Sequence, residues 1–398
     1  MWCGTTRKRN PGYAMKVDYL IVGSGLTGAV IARMLRDAGE HVVVVDRRDH
    51  VGGNVHDHAH ESGIRVHTYG PHYFRTSSDK IWRFVNRFSS FYKFEGIIQT
   101  LVDGRYENWP VSAEYLERTV GKNWHPSFSG HPNNFEEASL SLMPETVYRK
   151  FVKGYSEKQW GVSASNLSAN LAKRFEVRQD NDPRLKQCAH QGIPTKGYAD
   201  FTKNILAGIP VILNFNYLAN QNLIEYNKLL IFTGPIDEFF DFRLGHLTYR
   251  GQKREHQFYP NESYRLPCGQ INNPDPDSGP HVRTLEWKHM MPKECADGIR
   301  GTLLTTETPI TPESPEDYEY PFPDEGNQRL YQLYRDSARR VAKLLICGRL
   351  GEYRYFDMDQ AIARAMMLAE RILESRNGAD TIRLSELVDD QIAPVSRA

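Results

Sequence analysis

The first hydrophobic segments of the chain follow one another in the order strand, helix, strand. Val17 to Gly23 reads VDYLIVG, a run of aliphatic and β-branched residues that is typical of a buried parallel strand. From Leu26 to Ala38 apolar residues recur at helical spacing and stop before Gly39. HVVVVD, from His41 to Asp46, is a second buried strand. The pattern therefore predicts a complete βαβ unit.

The hydrophobic pattern then changes three times along the chain. From Lys80 to about Gln187, aromatic and aliphatic residues recur at helical spacing, which predicts a mainly helical insertion. From Val211 to about Glu286, β-rich pieces are broken by turn residues, as in NNPDPDSGP, which predicts an antiparallel sheet. Ala342 to Gly348 is again a buried strand, and Met358 to Leu373 has an apolar helix face. This late strand and helix predict that the first domain is discontinuous.

A glycine-rich turn joins the first strand to the first helix. Gly23–Gly28 fits G-x-G-x-x-G, in which Gly23 forms the tight turn, Gly25 allows close approach of a pyrophosphate, and Gly28 lets helix and strand pack. Asp46 ends the next strand at the spacing expected of an acid that binds a ribose hydroxyl. The context predicts a dinucleotide site.

Two further features favour FAD over NAD. After Asp46 the chain continues to a second glycine pair, Gly52 and Gly53, as in flavoproteins of this type. Near the end, Arg349 precedes a helix that begins near Asp357, and a helix N-terminus can stabilise negative charge on a reduced flavin. No second G-x-G-x-x-G occurs, so a dedicated NADPH domain is not expected. The predicted cofactor-binding residues are Gly23, Gly25, Leu26, Thr27, Gly28, Asp46, Arg47, Gly53, Asn54, Arg349 and Met358.

The predicted fold class is α/β, with a discontinuous FAD-binding Rossmann-like domain, a helical insertion domain and an antiparallel β-sheet domain. The Rossmann-like domain is assigned to residues 15–79, 190–215 and 325–380, the helical domain with a mobile substrate loop to 80–189, and the sheet domain for substrate to 216–324. Residues 1–14 are expected to form a disordered leader and residues 381–398 a flexible tail.

Composition and charge exclude several classes of function. Fifty basic residues face 49 acidic ones, so no strong overall field favours nucleic acid. The five cysteines are scattered without a C-x-x-C pair, which argues against a disulfide framework and a zinc site, so no metal is expected. No apolar run approaches the length of a membrane span. We therefore expect a cytoplasmic protein without membrane insertion.

Four segments of the chain resemble the UDP-galactopyranose mutases, and the resemblance extends from Met15 to Leu373. They are Gly70–Phe74 (GPHYF), Gly154–Gly161 (GYSEKQWG), Thr233–Asp241 (TGPIDEFFD) and Gly348–Asp359 (GRLGEYRYFDMD). Together they are much more specific than the Rossmann signature, which flavin oxidases share.

The resemblance implies an isomerase that interconverts UDP-galactopyranose and UDP-galactofuranose with no net redox change. Reduced FAD is the active form, and its N5 atom acts as the nucleophile at the anomeric carbon, expels UDP and forms a covalent adduct that reopens. The implied partners are a nucleotide sugar, a reductant such as NAD(P)H, and further copies of the chain in a homodimer or higher homo-oligomer. The implied process is the biosynthesis of cell-surface polysaccharide.

The resemblance also implies roles for individual side chains. Arg174 and Arg283 would hold the diphosphate, because a planar guanidinium pairs phosphate oxygens bidentately. His72 would lie near flavin N5, and Asp357 would lie near flavin and sugar, although helix capping alone explains an aspartate there. These four are the predicted catalytic residues. The predicted substrate-binding residues are Tyr155, Trp160, Tyr320, Tyr355, Phe151 and Arg75, although the spacing of Phe151 is also typical of core.

Several positions depart from the family pattern. The usual segment G-P-H-I-F-H-T becomes GPHYFRT, so Arg75 replaces a histidine near the sugar. Between Gln179 and His190, Leu185 or a neighbour stands where a phosphate-binding tyrosine is usual, and Ser112 stands where asparagine is common. The strand after Tyr249 also departs, reading RGQKREHQF. We expect Arg75 to face the sugar; the alternative is that it points into solvent.

These departures leave three alternatives open besides UDP-galactopyranose. One is a related mutase for another nucleotide sugar, such as UDP-GalNAc or a deoxy sugar. The second is a flavin amine oxidase-like oxidoreductase, which would not need paired diphosphate arginines. The third is a flavin-bearing binding protein without turnover.

Overall fold

The computed structural model describes residues 15–375, apart from the side chain of Arg174. The predicted leader (1–14) and tail (381–398) lie outside the described residues. The strands are β1 (Met15–Val22), β2 (Val42–Val45), β3 (Asp57–Ala59), β4 (Arg65–His67), β5 (Phe74–Thr76), β6 (Phe91–Lys93), β7 (Ile98–Val102), β8 (Arg105–Trp109), β9 (His190–Pro194), β10 (Val211–Ile212), β11 (Ile224–Phe232), β12 (Tyr249–Tyr259), β13 (Gln270–Asn272), β14 (Arg283–Glu286), β15 (Thr302–Ile310), β16 (Tyr320–Pro321) and β17 (Leu344–Ile346). The α-helices are α1 (Leu26–Asp37), α2 (Asp79–Val85), α3 (Ala113–Thr119), α4 (Phe135–Leu140), α5 (Glu145–Val147), α6 (Gly154–Trp160), α7 (Tyr198–Ile205), α8 (Ile236–Phe239), α9 (Lys293–Asp297), α10 (Glu325–Ala338), α11 (Gly348–Gly351) and α12 (Met358–Ser375).

A five-stranded parallel sheet forms the first layer, in the order β10-β2-β1-β11-β17. Leu20 and Ile21 at its centre are completely buried, because side chains on successive residues enter the cores on opposite faces of the sheet. Helices α1 and α12 contact each other on one face and contribute Ile31 and Ile362 to the same core. The predicted βαβ unit and the discontinuity of this domain are confirmed.

The position of strand β11 corrects the sequence prediction. Strand β11 lies within residues 216–324, which were predicted to form an antiparallel domain, yet it pairs in parallel with β1. The segment IEYNKLLIF is mostly polar in its first half and apolar in its second. Accordingly, only the second half, Leu229–Phe232, is buried throughout. The periodicity predicts a strand, but not its partner.

A seven-stranded mixed sheet forms the second layer, in the order β16-β12-β15-β14-β13-β7-β8. Strands β7 and β8 lie within residues 80–189, so the prediction of a mainly helical segment is wrong there. The turn between these strands contains Asp103 and Gly104, both with positive φ. An Asp-Gly pair between two short β-rich runs is a recognised hairpin signal, so the sequence did contain this information.

Helices α3 to α6 form one helical part of the insertion. They enclose a core that includes Phe135, Val147 and Tyr148. Between α5 and α6, Tyr148–Lys153 is a π-helix, a form that occurs mostly as short bulges at functional sites. No helix within residues 15–375 is long and apolar enough to cross a membrane.

Candidate active site

The first cavity, here called the cofactor cavity, lies at the carboxyl ends of β1 and β2. Ten of the predicted cofactor-binding residues line it: Gly23, Gly25, Leu26, Thr27, Asp46, Arg47, Gly53, Asn54, Arg349 and Met358. Gly28 does not line it, but a Cβ atom there would lie 2.0 Å from the carbonyl oxygen of Gly23, so only glycine allows this strand-to-helix packing. Sequence reasoning missed the segment Phe215–Leu218, which forms another wall.

Asp46 is held in place at the end of β2. Its Oδ2 accepts hydrogen bonds from the amide (2.7 Å) and hydroxyl (2.6 Å) of Ser24, and its Oδ1 accepts one from the amide of Arg48 at 3.0 Å. A carboxylate has about four acceptor positions, so one remains for a ligand hydroxyl. The role of Ser24 was not predicted, although it stands inside the glycine-rich segment.

The N-terminus of α1 opens into the cofactor cavity. Gly25 is its N-cap, no side chain caps its amides, and its first turn contains no acidic residue. A Cβ on Gly25 would lie 3.8 Å from the Cα of Gly53, so the two glycines make a narrow cradle of backbone. Free amides and the helix dipole favour an anion here. These residues fit the pyrophosphate of a dinucleotide.

Arg47 lines the cofactor cavity, but its guanidinium binds another protein group. Its two terminal nitrogens donate to the two carboxylate oxygens of Glu238, at 2.7 and 2.5 Å. Burial by itself lowers the pKa of Arg47, but the ion pair with Glu238 outweighs this and raises the pKa above its usual value. The guanidinium of Arg47 thus joins the end of β2 to α8, and the binding of cofactor by Arg47 stays a prediction.

The second cavity, here called the substrate cleft, adjoins the first. Its volume of about 410 Å³ lies in the range of small-molecule sites. Nine predicted catalytic or substrate-binding residues line it: His72, Arg75, Phe151, Tyr155, Trp160, Arg283, Tyr320, Tyr355 and Asp357. The side chain of Arg174 lies outside the described part of the structure. Asn54, His72, Arg349 and Met358 line both cavities, so the two spaces meet at these residues.

Arg283 belongs to a buried ion network that sequence reasoning missed. In the strand register Glu307 lies opposite both Arg283 and Arg254. Its carboxylate binds Arg283 and, at 2.8 Å, Nε of Arg254, whose other nitrogens bind Glu319 at 2.8 and 2.9 Å. Burial raises the pKa of Glu307, but Arg283 and Arg254 outweigh it and hold this pKa below the usual value. The network fixes the Arg283 guanidinium beside the cleft.

The segment after Tyr249, whose sequence departs from the family pattern, contributes to this ion network. Arg254 stands in the segment RGQKREHQF and supplies the second cation to Glu307. Arg250, in the same segment, donates to the carbonyl of Gln159 at 2.9 Å and so joins β12 to α6. The segment therefore holds in place Glu307 and α6, which pack around the cleft.

His72 is held by its backbone between two aromatic side chains. Its amide donates to Nδ1 of His67 (3.0 Å), and its carbonyl accepts from the hydroxyl of Tyr198 (3.0 Å). Its own Nδ1 is buried and has no partner within the described residues. Burial lowers the pKa of His72 to about 3, so the ring is neutral at pH 7. A ring nitrogen is thus left for a ligand at the junction of the cavities.

Arg349 and two tyrosines form the wall between the cavities. The guanidinium carbon lies 4.6 Å from the ring centre of Tyr355 and 5.9 Å from that of Tyr320, and these two rings are almost parallel. Arg349 also donates to the carbonyl of Phe356 at 2.6 Å. The cation–π contacts and this hydrogen bond hold the Arg349 guanidinium in one orientation.

Arg75 lines the substrate cleft, and its contact with a sugar stays a prediction. Its guanidinium lies 3.5 Å from the carboxylate of Asp357, and its side chain is 24% exposed. Leu185 and Lys186 line the cleft as well, in the loop where the phosphate-binding tyrosine is absent. Ser112 does not line the cleft; it caps α3 by accepting a hydrogen bond from the amide of Tyr115.

The remaining predicted residues lie on the helical side of the cleft. Tyr155 and Trp160 belong to α6, and the ring of Trp160 packs edge-on against Phe322. Phe151 belongs to the π-helix, is 3% exposed and is both core and cleft wall, so the two interpretations of this residue hold together.

The burial of His67 predicts that the free energy of unfolding decreases in acid. His67 is 2% exposed, and burial lowers its pKa from 6.5 to about 3. The unfolded chain takes up a proton below pH 6.5 that the folded chain does not, so this contribution to stability is complete above pH 6.5 and is lost as pH falls towards 3. Between pH 7 and 5 we expect a loss of about 2 kcal/mol from this residue.

Urea unfolding at pH 7 and pH 5 measures this loss. The variant His67→Gln should lose about 2 kcal/mol less than wild type over the same interval, whereas His41→Gln, at an exposed position, should behave like wild type. An identical pH dependence in His67→Gln and wild type would contradict the prediction.

Comparisons with known proteins show what this chain is similar to. The family model of UDP-galactopyranose mutase matches residues 150–355, and a model of the NAD(P)-binding Rossmann-like domain matches residues 21–88. A probable UDP-galactopyranose mutase of Klebsiella pneumoniae is 31% identical over 373 residues, which cover 90% of this chain and 95% of that protein. A dTDP-fucopyranose mutase of Escherichia coli is 30% identical over 376 residues, covering 89% of this chain and 98% of that protein.

The fold is also similar to a solved structure. A crystal structure of reduced UDP-galactopyranose mutase matches with a TM-score of 0.72 and 15% identity, covering 94% of this chain and 96% of that chain. The mixed α/β architecture with its Rossmann-like domain is therefore shared. On the family model and the extent of the identity, the chain belongs to the UDP-galactopyranose mutase family of enzymes.

Proposed function

We propose that this enzyme interconverts UDP-galactopyranose and UDP-galactofuranose with reduced FAD as cofactor. The observation that carries the proposal is the junction of the two cavities, where His72 and Arg349 line both the cofactor cavity and the substrate cleft. A sugar in the cleft would there lie beside a ring system in the cofactor cavity. When bound, reduced FAD would supply the nucleophilic nitrogen N5 to the anomeric carbon without net redox change.

The chain's own side chains would bind and orient the substrate. Arg283, held by Glu307, presents a permanent cation to the diphosphate that leaves and returns. Tyr320 and Tyr355 offer hydroxyls and ring faces beside it, and burial raises the pKa of Tyr320 to about 12, so its hydroxyl keeps its proton. Trp160 and Phe151 cover the cleft and limit the access of water.

A direct assay tests the proposal. The purified protein is incubated with UDP-galactopyranose under dithionite, and the furanose product and the consumption of reductant are measured. We expect product without stoichiometric loss of reductant and no turnover by the oxidised enzyme. Stoichiometric consumption of reductant would instead indicate an oxidoreductase, and binding without product a protein without turnover. In the cytoplasm a reductant such as NAD(P)H would keep the flavin reduced.

A second candidate is the same reaction on another nucleotide sugar. It is supported by the dTDP-fucopyranose mutase among the relatives and by the position of Arg75 in the cleft. Arginine brings donors and a permanent charge where the family pattern has histidine. Such a side chain can bind a carbonyl oxygen, as in an N-acetyl group, or the diphosphate.

The variant Arg75→His distinguishes these substrates. We expect it to shift the ratio of kcat/KM between UDP-galactopyranose and UDP-N-acetylgalactosamine, since one buried polar contact changes discrimination by about 1 to 3 kcal/mol, or about 5- to 150-fold. Ratios are measured for wild type and variant over a panel of nucleotide sugars. Equal ratios throughout would mean that Arg75 does not select the sugar and would leave UDP-galactose as the simpler assignment.

A further inference from the structure

Tyr73 occupies a position where the family pattern G-P-H-I-F-H-T has isoleucine. Its ring lines the substrate cleft and packs against Phe94, with ring centres 5.4 Å apart and planes inclined by 27°. A Cβ atom built on Gly96 would lie 3.4 Å from the Tyr73 ring, which is ordinary van der Waals contact, so Gly96 packs beside the ring. The ring is therefore fixed, and only its hydroxyl can make polar contacts.

The hydroxyl of Tyr73 starts a chain of hydrogen bonds along the cleft wall. It donates to Oε1 of Gln270 at 3.4 Å, and Nε2 of Gln270 donates to Oδ1 of Asn272 at 2.9 Å. Gln270 and Asn272 are two residues apart on β13, so both side chains lie on one face; they are 4% and 7% exposed. Isoleucine at position 73 could not make the first of these bonds.

This chain of bonds determines which end of the Asn272 amide faces the cleft. Since Oδ1 accepts from Gln270, the amide nitrogen Nδ2 is directed elsewhere, and it has no hydrogen-bond partner within residues 15–375. In the strand register Asn272 lies opposite Arg283, whose guanidinium is held from the other side by Glu307. Facing side chains on neighbouring strands are in contact distance. Asn272 and Arg283 therefore present donors side by side.

We propose that Tyr73 and Gln270 are positioning residues that orient Asn272 as a hydrogen-bond donor to an acceptor oxygen of the substrate, next to the diphosphate group bound by Arg283. The inference rests on the proposed function, because it requires a nucleotide sugar in the cleft. An acceptor in this position is either a phosphate oxygen or an oxygen of the sugar. Without this chain of hydrogen bonds, here called the relay, the Asn272 amide can rotate and present its carbonyl oxygen, which repels a phosphate oxygen and cannot donate to a sugar oxygen.

The test uses the oxidised holoenzyme, which binds ligands without turnover. Dissociation constants for UDP and for UDP-galactopyranose are measured by calorimetry for wild type and Tyr73→Phe, which removes the hydroxyl and keeps the ring. We expect binding to weaken about two- to tenfold, as for loss of one net hydrogen bond. Weakening for both ligands places the acceptor on the diphosphate, and weakening for UDP-galactopyranose alone places it on the sugar.

Two controls separate positioning from a general loss of packing. Tyr92→Phe removes another hydrogen-bonded hydroxyl, which donates to the carbonyl of Met290 and lies in neither cavity; it should leave both dissociation constants unchanged. In an Asn272→Ala background, Tyr73→Phe should have no further effect, because the relay then has no end group.

Three results would overturn the proposal. Unchanged affinity of Tyr73→Phe for both ligands, while wild type binds them, rejects the relay and leaves the proposed function intact. Equal weakening by Tyr73→Phe with and without Asn272 rejects positioning through Asn272. If wild type binds neither ligand, the proposed function fails, and the relay fails with it.

Discussion

Gly25→Val is expected to give a folded protein that does not retain FAD. The backbone of Gly25 has φ −66° and ψ 177°, which valine adopts without strain, and a Cβ there meets its first protein atom at 3.8 Å. The added methyl groups would instead occupy the space in which the proposed pyrophosphate approaches the amides of α1. We expect FAD to bind at least about 100-fold more weakly, a loss of about 2.8 kcal/mol.

Flavin absorbance of the purified protein, together with its thermal unfolding, checks this result. Gly298→Val is a matched control, since Gly298 is exposed, lines neither of the two cavities, and has an ordinary φ of −74°. It should retain full flavin. Gly28 is not a suitable test, because a Cβ there collides with backbone and would disturb the fold itself. Full flavin content in Gly25→Val would show that the cofactor is not placed at this turn.

Arg283→Ala is expected to reduce turnover about 10- to 200-fold. The arginine is proposed to hold the diphosphate as it leaves, and one charge-assisted contact of this kind contributes about 1.5 to 3 kcal/mol. Arg283→Lys should recover little activity, because an ammonium cannot reproduce the two parallel bonds of a guanidinium. The rate of isomerisation with saturating nucleotide sugar and reduced enzyme is the measurement.

The buried network makes stability the necessary control for this variant. Removing Arg283 leaves Glu307, which is fully buried, with Arg254 as its remaining cation, so some stability is lost as well. Denaturant unfolding of Arg283→Ala separates the two effects, and Arg329→Ala, at a 74% exposed position, should change neither. Wild-type turnover in a folded Arg283→Ala protein would assign this residue to the network alone.

Local patterns in the sequence were sufficient for the βαβ unit of the first layer and for most of the predicted lining of the cofactor cavity. A strand, a glycine turn and a helix that follow one another directly have little choice of arrangement, because the connection is short and the glycine turn requires each glycine in its place. Ten of the predicted cofactor residues accordingly line one cavity. Arg47 is the exception in role, since its partner Glu238 is distant in sequence and no local pattern predicts it.

The substrate cleft could be predicted only through the family resemblance. Periodicity alone gives Phe151 as core, and nothing local distinguishes Arg283 from a surface arginine. Their function as walls of one cleft depends on the packing of α6 against the seven-stranded sheet. That packing involves contacts between elements far apart in the chain.

The residues alone were enough to predict the βαβ unit, the glycine-rich turn and the return of the chain to the first sheet near its end. The folded protein was needed to show which sheets β7, β8 and β11 join, that Glu307 lies between two arginines, and that the Tyr73 hydroxyl donates to Gln270. The physical reason is that strand register and pairing are set by non-local burial: each strand is predictable from its own residues, but its neighbour is not. Glu307, which binds Arg283, lies on the neighbouring strand β15, and Tyr73, which bonds to Gln270, is distant from β13 in the sequence, so both contacts are visible only in the assembled sheet.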